Sequence, residues 1–332
     1  MLAFALPAGP SLADDAQLTA NPPERYTVQK GDTLWSIARR FLKNPWRWPQ
    51  IWQRNPGIKN PHLIYPGDVL VLSTTPGQQP RLKVLPERKV TKLEPRVRVL
   101  PHEEAIPTIP PDAIQPFLSA PLVIEEGGLQ HAGYVAAGDE GTILLGKYSV
   151  FFARGVDGDS SEYSIFRPGK RLTNPATGEF LGLQAIHLGE ARVLQEGKTA
   201  KMEVTASTQE ISMGDRMVPV NKDIALPYYD PHAPSQPVDG YIIDINGAVA
   251  EGGPYQVIVV TLGSREQMEP GDVLRIQRQE PEQKDVVTGG TVTIPPQDSG
   301  LAMVFRVFDK VSYALVLDAT RAVHIDDRVT NP

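Results

Sequence analysis

The sequence predicts a multidomain protein: a small α+β unit of strand-helix-helix-strand (βααβ) order, then a mainly-β C-terminal region made of two tandem repeats. Three observations carry this. Between Tyr26 and Ser73 strand-like and helix-like periodicities follow one another, separated by Gly-Asp and Asn-Pro turns. All four tryptophans fall between Trp35 and Trp52. From residue 122 onward the chain reads as short β-branched or aromatic runs, and parts of that region align with each other at an offset of about 107 to 112 residues.

The bulk properties agree. A chain of 332 residues has room for two or three domains. Hydrophobic content of 41% and charged content of 22% are those of an ordinary globular protein. Thirty-two prolines point to turns, linkers and edge strands rather than long helices. The absence of cysteine excludes disulfides, thiolate metal sites and cysteine nucleophiles together.

Residues 1–13 read as the remnant of a signal peptide. The apolar stretch Leu2–Leu6 leads to the small-x-small pattern Ser11-Leu12-Ala13 and then to Asp14-Asp15. A basic segment before it is missing, which leaves an upstream start or a chance resemblance. Export is the expectation, to the periplasm or outside the cell. No later run reaches the ~20 apolar residues of a membrane span, so no transmembrane segment is expected.

Residues 25–73 form the first unit. Tyr26-Thr27-Val28-Gln29-Lys30 reads as a strand, and Gly31-Asp32 turns it. Asp32 or Thr33 can cap the next helix, since a side-chain oxygen there accepts an orphan N–H. Leu34, Ile37, Ala38, Phe41 and Leu42 fall on one helical face. Asn44-Pro45 marks a stop and a restart. Trp48, Ile51 and Trp52 share one side of a second helix, and Val69–Leu72 is a closing strand.

Residues 74–121 read as a Pro-rich basic linker. Ten prolines lie between Pro76 and Pro121, and Arg81–Arg98 holds seven basic residues against two acidic ones. Alternation in Arg81–Leu85 and Arg96–Leu100 hints at short edge strands, and Pro111–Leu118 at one turn of helix. The β region then divides into repeat 1, residues 122–220, and repeat 2, residues 237–332. Gly133-Tyr134 matches Gly240-Tyr241, and the stretch from Gly189 to Pro219 aligns with that from Gly300 to Pro332. The segments around Gly214-Asp215, Gly271-Asp272 and Asp326-Asp327 read as turns leading into strands. Formal charge is +6 over residues 25–73, +2 over 76–121 and −11 over 122–332. The front can approach an anionic polymer while the rear keeps the chain soluble.

Tyr26-Thr27-Val28, Gly31 to Ala38, Phe41, Asn55, Ile58, Asn60-Pro61 and Ile64-Tyr65-Pro66-Gly67-Asp68 together resemble the LysM domain. The resemblance covers a whole module and about one seventh of the chain. It implies a βααβ fold that binds N-acetylglucosamine-containing polymers such as peptidoglycan and chitin, with no catalysis. By position it implies a groove with Gly31, Asp32, Thr33 and Leu34 on one wall and Asn55, Pro56, Gly57, Ile58 and Lys59 on the other, with Ile64 and Tyr65 nearby. An N-acetyl group offers one amide, which loop backbone N–H and C=O can pair, while a Leu or Ile side chain receives its methyl. Leu34 and Ile64 either take that role or belong to the core. Trp35 either stacks on a sugar ring or covers the core; Trp48 and Trp52 read as core and Trp46 as exposed.

Catalytic signatures are missing. The histidines His62, His102, His131, His187, His232 and His324 are scattered with no two at metal-ligand spacing. Asp239 and Asp244 faintly resemble the acidic strand of a chitinase family, but no Glu stands at the acid position. No Gly-x-Ser-x-Gly or phosphate-binding loop occurs. The expected protein is a non-enzymatic, cell-wall-associated binder of peptidoglycan or chitooligosaccharide, with no cofactor and no nucleic acid. Its β region serves as an envelope scaffold that pairs with envelope proteins. The alternative is a cell-wall hydrolase with an unrecognised catalytic β-domain.

Overall fold

The computed structural model describes residues 16–52, 64–74, 80–85, 106–119, 123–125, 127–128, 132–156, 160–220, 229–248, 251–280, 283–292 and 294–332. Contacts divide the chain into two units, Met1–Ile109 and Pro110–Pro332. The expected leader, residues 1–13, lies outside the described residues.

In the first unit β1 (Arg25–Thr27) pairs antiparallel with β2 (Val69–Ser73), Tyr26 facing Leu70. Helix α1 (Leu34–Phe41) follows the first Gly-Asp turn, a 3-10 turn spans Pro45–Arg47, and α2 (Trp48–Trp52) completes the βααβ order. Thr33 starts α1 through a capping box: its hydroxyl accepts the Ser36 N–H at 3.1 Å, and the Ser36 hydroxyl accepts the Thr33 N–H at 3.0 Å. Leu34, Ile37, Ala38 and Phe41 are buried as the periodicity requires, and pack with Trp48, Ile51 and Leu70.

The unit does not stop at Ser73. Strand β3 (Arg81–Leu85) pairs antiparallel with β2 along its whole length, giving the sheet order β1-β2-β3. Residues expected to be linker therefore belong to the first unit. The alternation in Arg81–Leu85 is the reason: it sets Leu82 and Val84 on one face, where Leu82 joins the helical core and Val84 packs against it. Trp46, expected outside, is buried under its neighbour; the Arg47 guanidinium stands 4.7 Å from its ring centroid.

The second unit is mainly β, as expected. After α3 (Pro111–Ser119) and β4 (Val123–Ile124) come β5 (Gly133–Gly138), β6 (Leu144–Leu145), β7 (Val150–Arg154), β8 (Glu162–Thr173), β9 (Phe180–Gln195), β10 (Ala200–Ser207), β11 (Ile211–Ser212) and β12 (Arg216–Pro219). Strands β5-β7-β10-β9-β8-β12 close into a ring, every neighbouring pair antiparallel, with β4 added outside β9.

A second ring follows: β13 (Asp239–Ile245), β14 (Glu251–Gly252), β15 (Val257–Val260), β16 (Val273–Arg278), β17 (Gln283–Lys284), β18 (Thr291–Val292), β19 (Gln297–Val307), β20 (Ser312–Ala319), β21 (Val323–His324) and β22 (Arg328–Thr330). Here β13-β15-β20-β19-β16-β22 close into a barrel. The circuit visits first, second, fifth, fourth, third and sixth ring strands in both cases. Two-residue ladders accompany each ring, β6 with β11 and β14 with β21.

Closure needs curvature, and backbone close approaches supply it at matched places. Register shifts interrupt the β10–β9 pairing at Val204/Ala206 and the β19–β20 pairing at Leu301/Ala302 and Val304/Arg306. A Cβ on Gly189 would overlap the Ala206 carbonyl oxygen, and one on Gly300 the Asp318 carbonyl oxygen. Only glycine lets the strands cross so closely. Inside the first ring pack Val135, Phe151, Ile165, Leu188 and Met202; inside the second, Ile242, Ile258, Leu274, Val304 and Val316. The rings are tied to each other by polar contacts. Asp244 accepts from Lys170 Nζ at 2.5 Å and from Gln184 Nε2 at 2.9 Å. Arg265 makes a two-pronged bond to Glu179 at 2.6 and 3.0 Å.

Candidate functional site

The two Gly-Asp turns of the first unit sit side by side. Gly31 holds a left-handed φ of 93° and Gly67 one of 99°, a conformation that favours glycine because it has no Cβ. The Asp32 carboxylate accepts the Gln29 N–H at 2.8 Å, and that of Asp68 accepts the Tyr65 N–H at 3.0 Å. Val28 links the turns: its N–H donates to the Asp68 carbonyl and its carbonyl accepts from Gly67 N–H. Asp32 therefore closes its own turn while Thr33 caps the helix. Tyr26 also donates to Asp32 Oδ2 at 2.8 Å. Burial first, and then that bond, push the Tyr26 phenol above its ordinary range.

Of the expected groove residues, Gly31 is exposed and Asp32 and Tyr65 are half-buried, while Thr33, Leu34 and Ile64 are buried. The expected second wall, Asn55, Pro56, Gly57, Ile58 and Lys59, lies outside the described residues. Trp35 is buried at 2% exposure, so it covers the core rather than presenting a stacking face. Trp48 is buried as expected, and the side chain of Trp52 lies outside the described residues.

A segment that sequence reasoning assigned to the linker lies against Leu34, Trp35 and Ile64. The Leu34 N–H donates to the Pro107 carbonyl at 2.9 Å and the Trp35 N–H to the Thr108 carbonyl at 3.2 Å. The Ile106 N–H donates to the Ile64 carbonyl at 2.8 Å. Ile106, Thr108 and Ile109 are each 3% exposed. The signal available in the sequence was Ile106-Pro107-Thr108-Ile109, an apolar island in a stretch otherwise rich in charge and proline.

The Asp-closed turn recurs in the β unit. Asp215 accepts the Ser212 N–H at 2.7 Å, Asp272 the Glu269 N–H at 2.8 Å and Asp327 the His324 N–H at 2.8 Å. The residue before each aspartate is left-handed: Gly214 at 90°, Gly271 at 108° and Asp326 at 70°. Burial pushes the Asp272 and Asp327 carboxyls up from the usual range. These aspartates are turn-closing acceptors, and among the described residues no group of three His, Asp or Glu side chains is placed to hold a metal ion. Among the described residues no helix is long and apolar enough to cross a membrane.

Comparison with known proteins bears on the first unit. Residues 26–73 match the family model of the LysM domain. The uncharacterized protein YqbP of Bacillus subtilis (strain 168) is 40% identical over 58 residues, 14% of this chain and 26% of YqbP. The potassium binding protein Kbp of Escherichia coli O6:H1 is 39% identical over 67 residues, 19% of this chain and 45% of Kbp. The chain thus spans between a quarter and a half of the length of these curated relatives. This stretch carries a strand, a capped helix, a second helix and a closing strand, with two Gly-Asp turns: residues 26–73 are a LysM domain, a carbohydrate-binding module.

Proposed function

We propose that the LysM domain binds peptidoglycan, or a chitooligosaccharide of the same N-acetylglucosamine chemistry, without cleaving it. We place the protein in the periplasm or outside the cell, where the second unit is a scaffold held at the wall by the first. The observation that carries the reading is the complete module at residues 26–73, with both Gly-Asp turns formed. The glycan would lie between Gly31–Leu34 and Asn55–Lys59, with Ile64 and Tyr65 beside it. The local charge of +6 over residues 25–73 supports approach to an anionic wall polymer.

The β unit supports a reading as two copies of one β-domain, residues 122–220 and 237–332. The shared ring circuit and the matched Gly189 and Gly300 favour it. Their surfaces would serve envelope partner proteins.

The test is a pulldown of the full chain on insoluble peptidoglycan across a salt series, with free chitooligosaccharide as competitor. Contacts to backbone amides and small apolar groups resist salt, whereas attraction between surface charges is screened over ~8 Å at physiological ionic strength. The expected result is pelleting that persists at high salt and is reversed by the sugar, with no muropeptides released into the supernatant. Pelleting abolished by salt and indifferent to sugar would reduce the domain to an electrostatic anchor. Release of muropeptides, lost on one acidic or His substitution in the β unit, would make the protein a hydrolase.

A further inference from the structure

Residues Ile106–Ile109 present to the LysM loops the same kinds of group that an N-acetylated sugar would. Leu34 and Trp35 open α1, and the first N–H groups of a helix have no partner within it. The carbonyls of Pro107 and Thr108 take both. On the other side the Ile106 N–H fills the Ile64 carbonyl. An acetamido group offers a carbonyl, an N–H and a methyl. This segment offers two carbonyls, one N–H and the Ile106 side chain, which packs in one cluster with Leu34 and Ile64.

The segment is suited to docking in an extended form. Residues before a proline are biased away from the helical region, and Ile106 and Ile109 precede Pro107 and Pro110. Pro107 brings no N–H of its own that would need a partner. What docks is therefore short, carbonyl-rich and apolar at both ends.

We propose, on the reading that these loops are the glycan site, that Ile106–Ile109 is a built-in strap that occupies the site and must leave before glycan enters. Affinity is then set by how often the strap is out. A strap docked nine-tenths of the time weakens apparent binding about tenfold, because only the open fraction can bind. The strap also sets selectivity: a short sugar gains few contacts against it, while a longer glycan gains enough to displace it.

The experiment uses the full chain, wild type and the double variant Ile106→Ser, Ile109→Ser. Chitotetraose is titrated by calorimetry, and amide hydrogen exchange at Ile106 is followed with and without saturating sugar. Tryptophan emission checks that the variant's first unit is folded. The expected result is sugar binding at least about fivefold tighter in the variant, and loss of Ile106 protection in the sugar-saturated wild type. Should the variant fail to fold, the wild-type exchange measurement decides alone. Binding by the wild type with Ile106 still protected at saturation would remove the strap from the site and leave the glycan reading standing. No binding by either folded protein would withdraw the glycan reading, and the strap with it.

Discussion

Arg167 grips Asp215 with two parallel N–H donors, each at 2.8 Å, while the same carboxylate accepts the Ser212 N–H at 2.7 Å. Strand β8 is thereby fastened to the turn that leads into β12. Asp215 is 4% exposed, so its charge stands out of water and is satisfied by this set of donors. The matching turn of the second ring has Asp327, with Arg278 at 3.4 Å.

Replacing Asp215 by Ala removes the acceptor from Ser212 and the partner from Arg167. Stability should fall by about 1.5–3 kcal/mol, the range for a hydrogen bond to a charged group. Asp215→Asn should fall by less, since its carbonyl can still accept the Ser212 N–H. Urea denaturation followed by far-UV circular dichroism measures both, and an Asn variant as damaged as the Ala variant would place the whole effect in charge.

Glycine at positions 189 and 300 is a packing requirement. Gly300→Ala sets a methyl against the Asp318 carbonyl, and Gly189→Ala sets one against that of Ala206. The clash is with backbone, so relief requires strand movement, at a cost of about 1–3 kcal/mol or more. Gly146→Ala is the control for simple loss of flexibility, because its φ is not left-handed and a Cβ there meets nothing within 4 Å. Thermal denaturation should show the strand-glycine variants losing Tm against the control and, if steric overlap is the cause, Gly300→Val losing more than Gly300→Ala.

Tryptophan emission reports the first unit alone, because every tryptophan lies between Trp35 and Trp52. Phe41 is fully buried in that unit's core. Phe41→Ala should cost about 3–5 kcal/mol, which a domain of this size cannot spare. The emission spectrum of that variant should resemble that of the urea-unfolded chain, with wall binding lost. A native spectrum with unchanged binding would show that the core tolerates the cavity.

His187 supplies a pH dependence. Burial holds its imidazole below the usual histidine range, with Glu190 opposing weakly. The folded chain then binds fewer protons at this site than the unfolded one. Stability from this group is present above the unfolded pKa of about 6.5 and is lost as pH falls through the lower folded value. The urea midpoint should drop between pH 7.5 and pH 5.5, and His187→Gln should flatten that drop. An identical drop in the variant would assign it to other groups.

Residues 26–73 were legible because their information is local. A Gly-Asp turn, a Thr cap and an i, i+3, i+4 apolar stripe each act within a few residues, and together they specify a strand, a capped helix and a core face. The mainly-β character of the second unit was legible for the same reason, since β-branched runs bounded by Gly, Pro and Asp are read one strand at a time. The burial of Trp46 was not, because its place depends on the fold around it rather than on its position in a helical stripe.

The sequence by itself determined the strands and helices of residues 26–73, the mainly-β character of the second unit, the Gly-Asp turns, and that no cysteine chemistry occurs. Tertiary structure decided which strands are neighbours. Nothing local in Arg81–Leu85 says that it pairs with Val69–Ser73, and nothing in β10 says that it closes a ring against β7 and β9. It also decided that Ile106–Ile109 lies on Leu34, Trp35 and Ile64, about 40 to 75 residues away in sequence. Backbone donors and acceptors are the same in every residue, so a pairing between distant main chains leaves no mark in composition or periodicity. Only the enclosed shape of the fold, which must bury Ile106 and satisfy the open end of α1 at once, selects it.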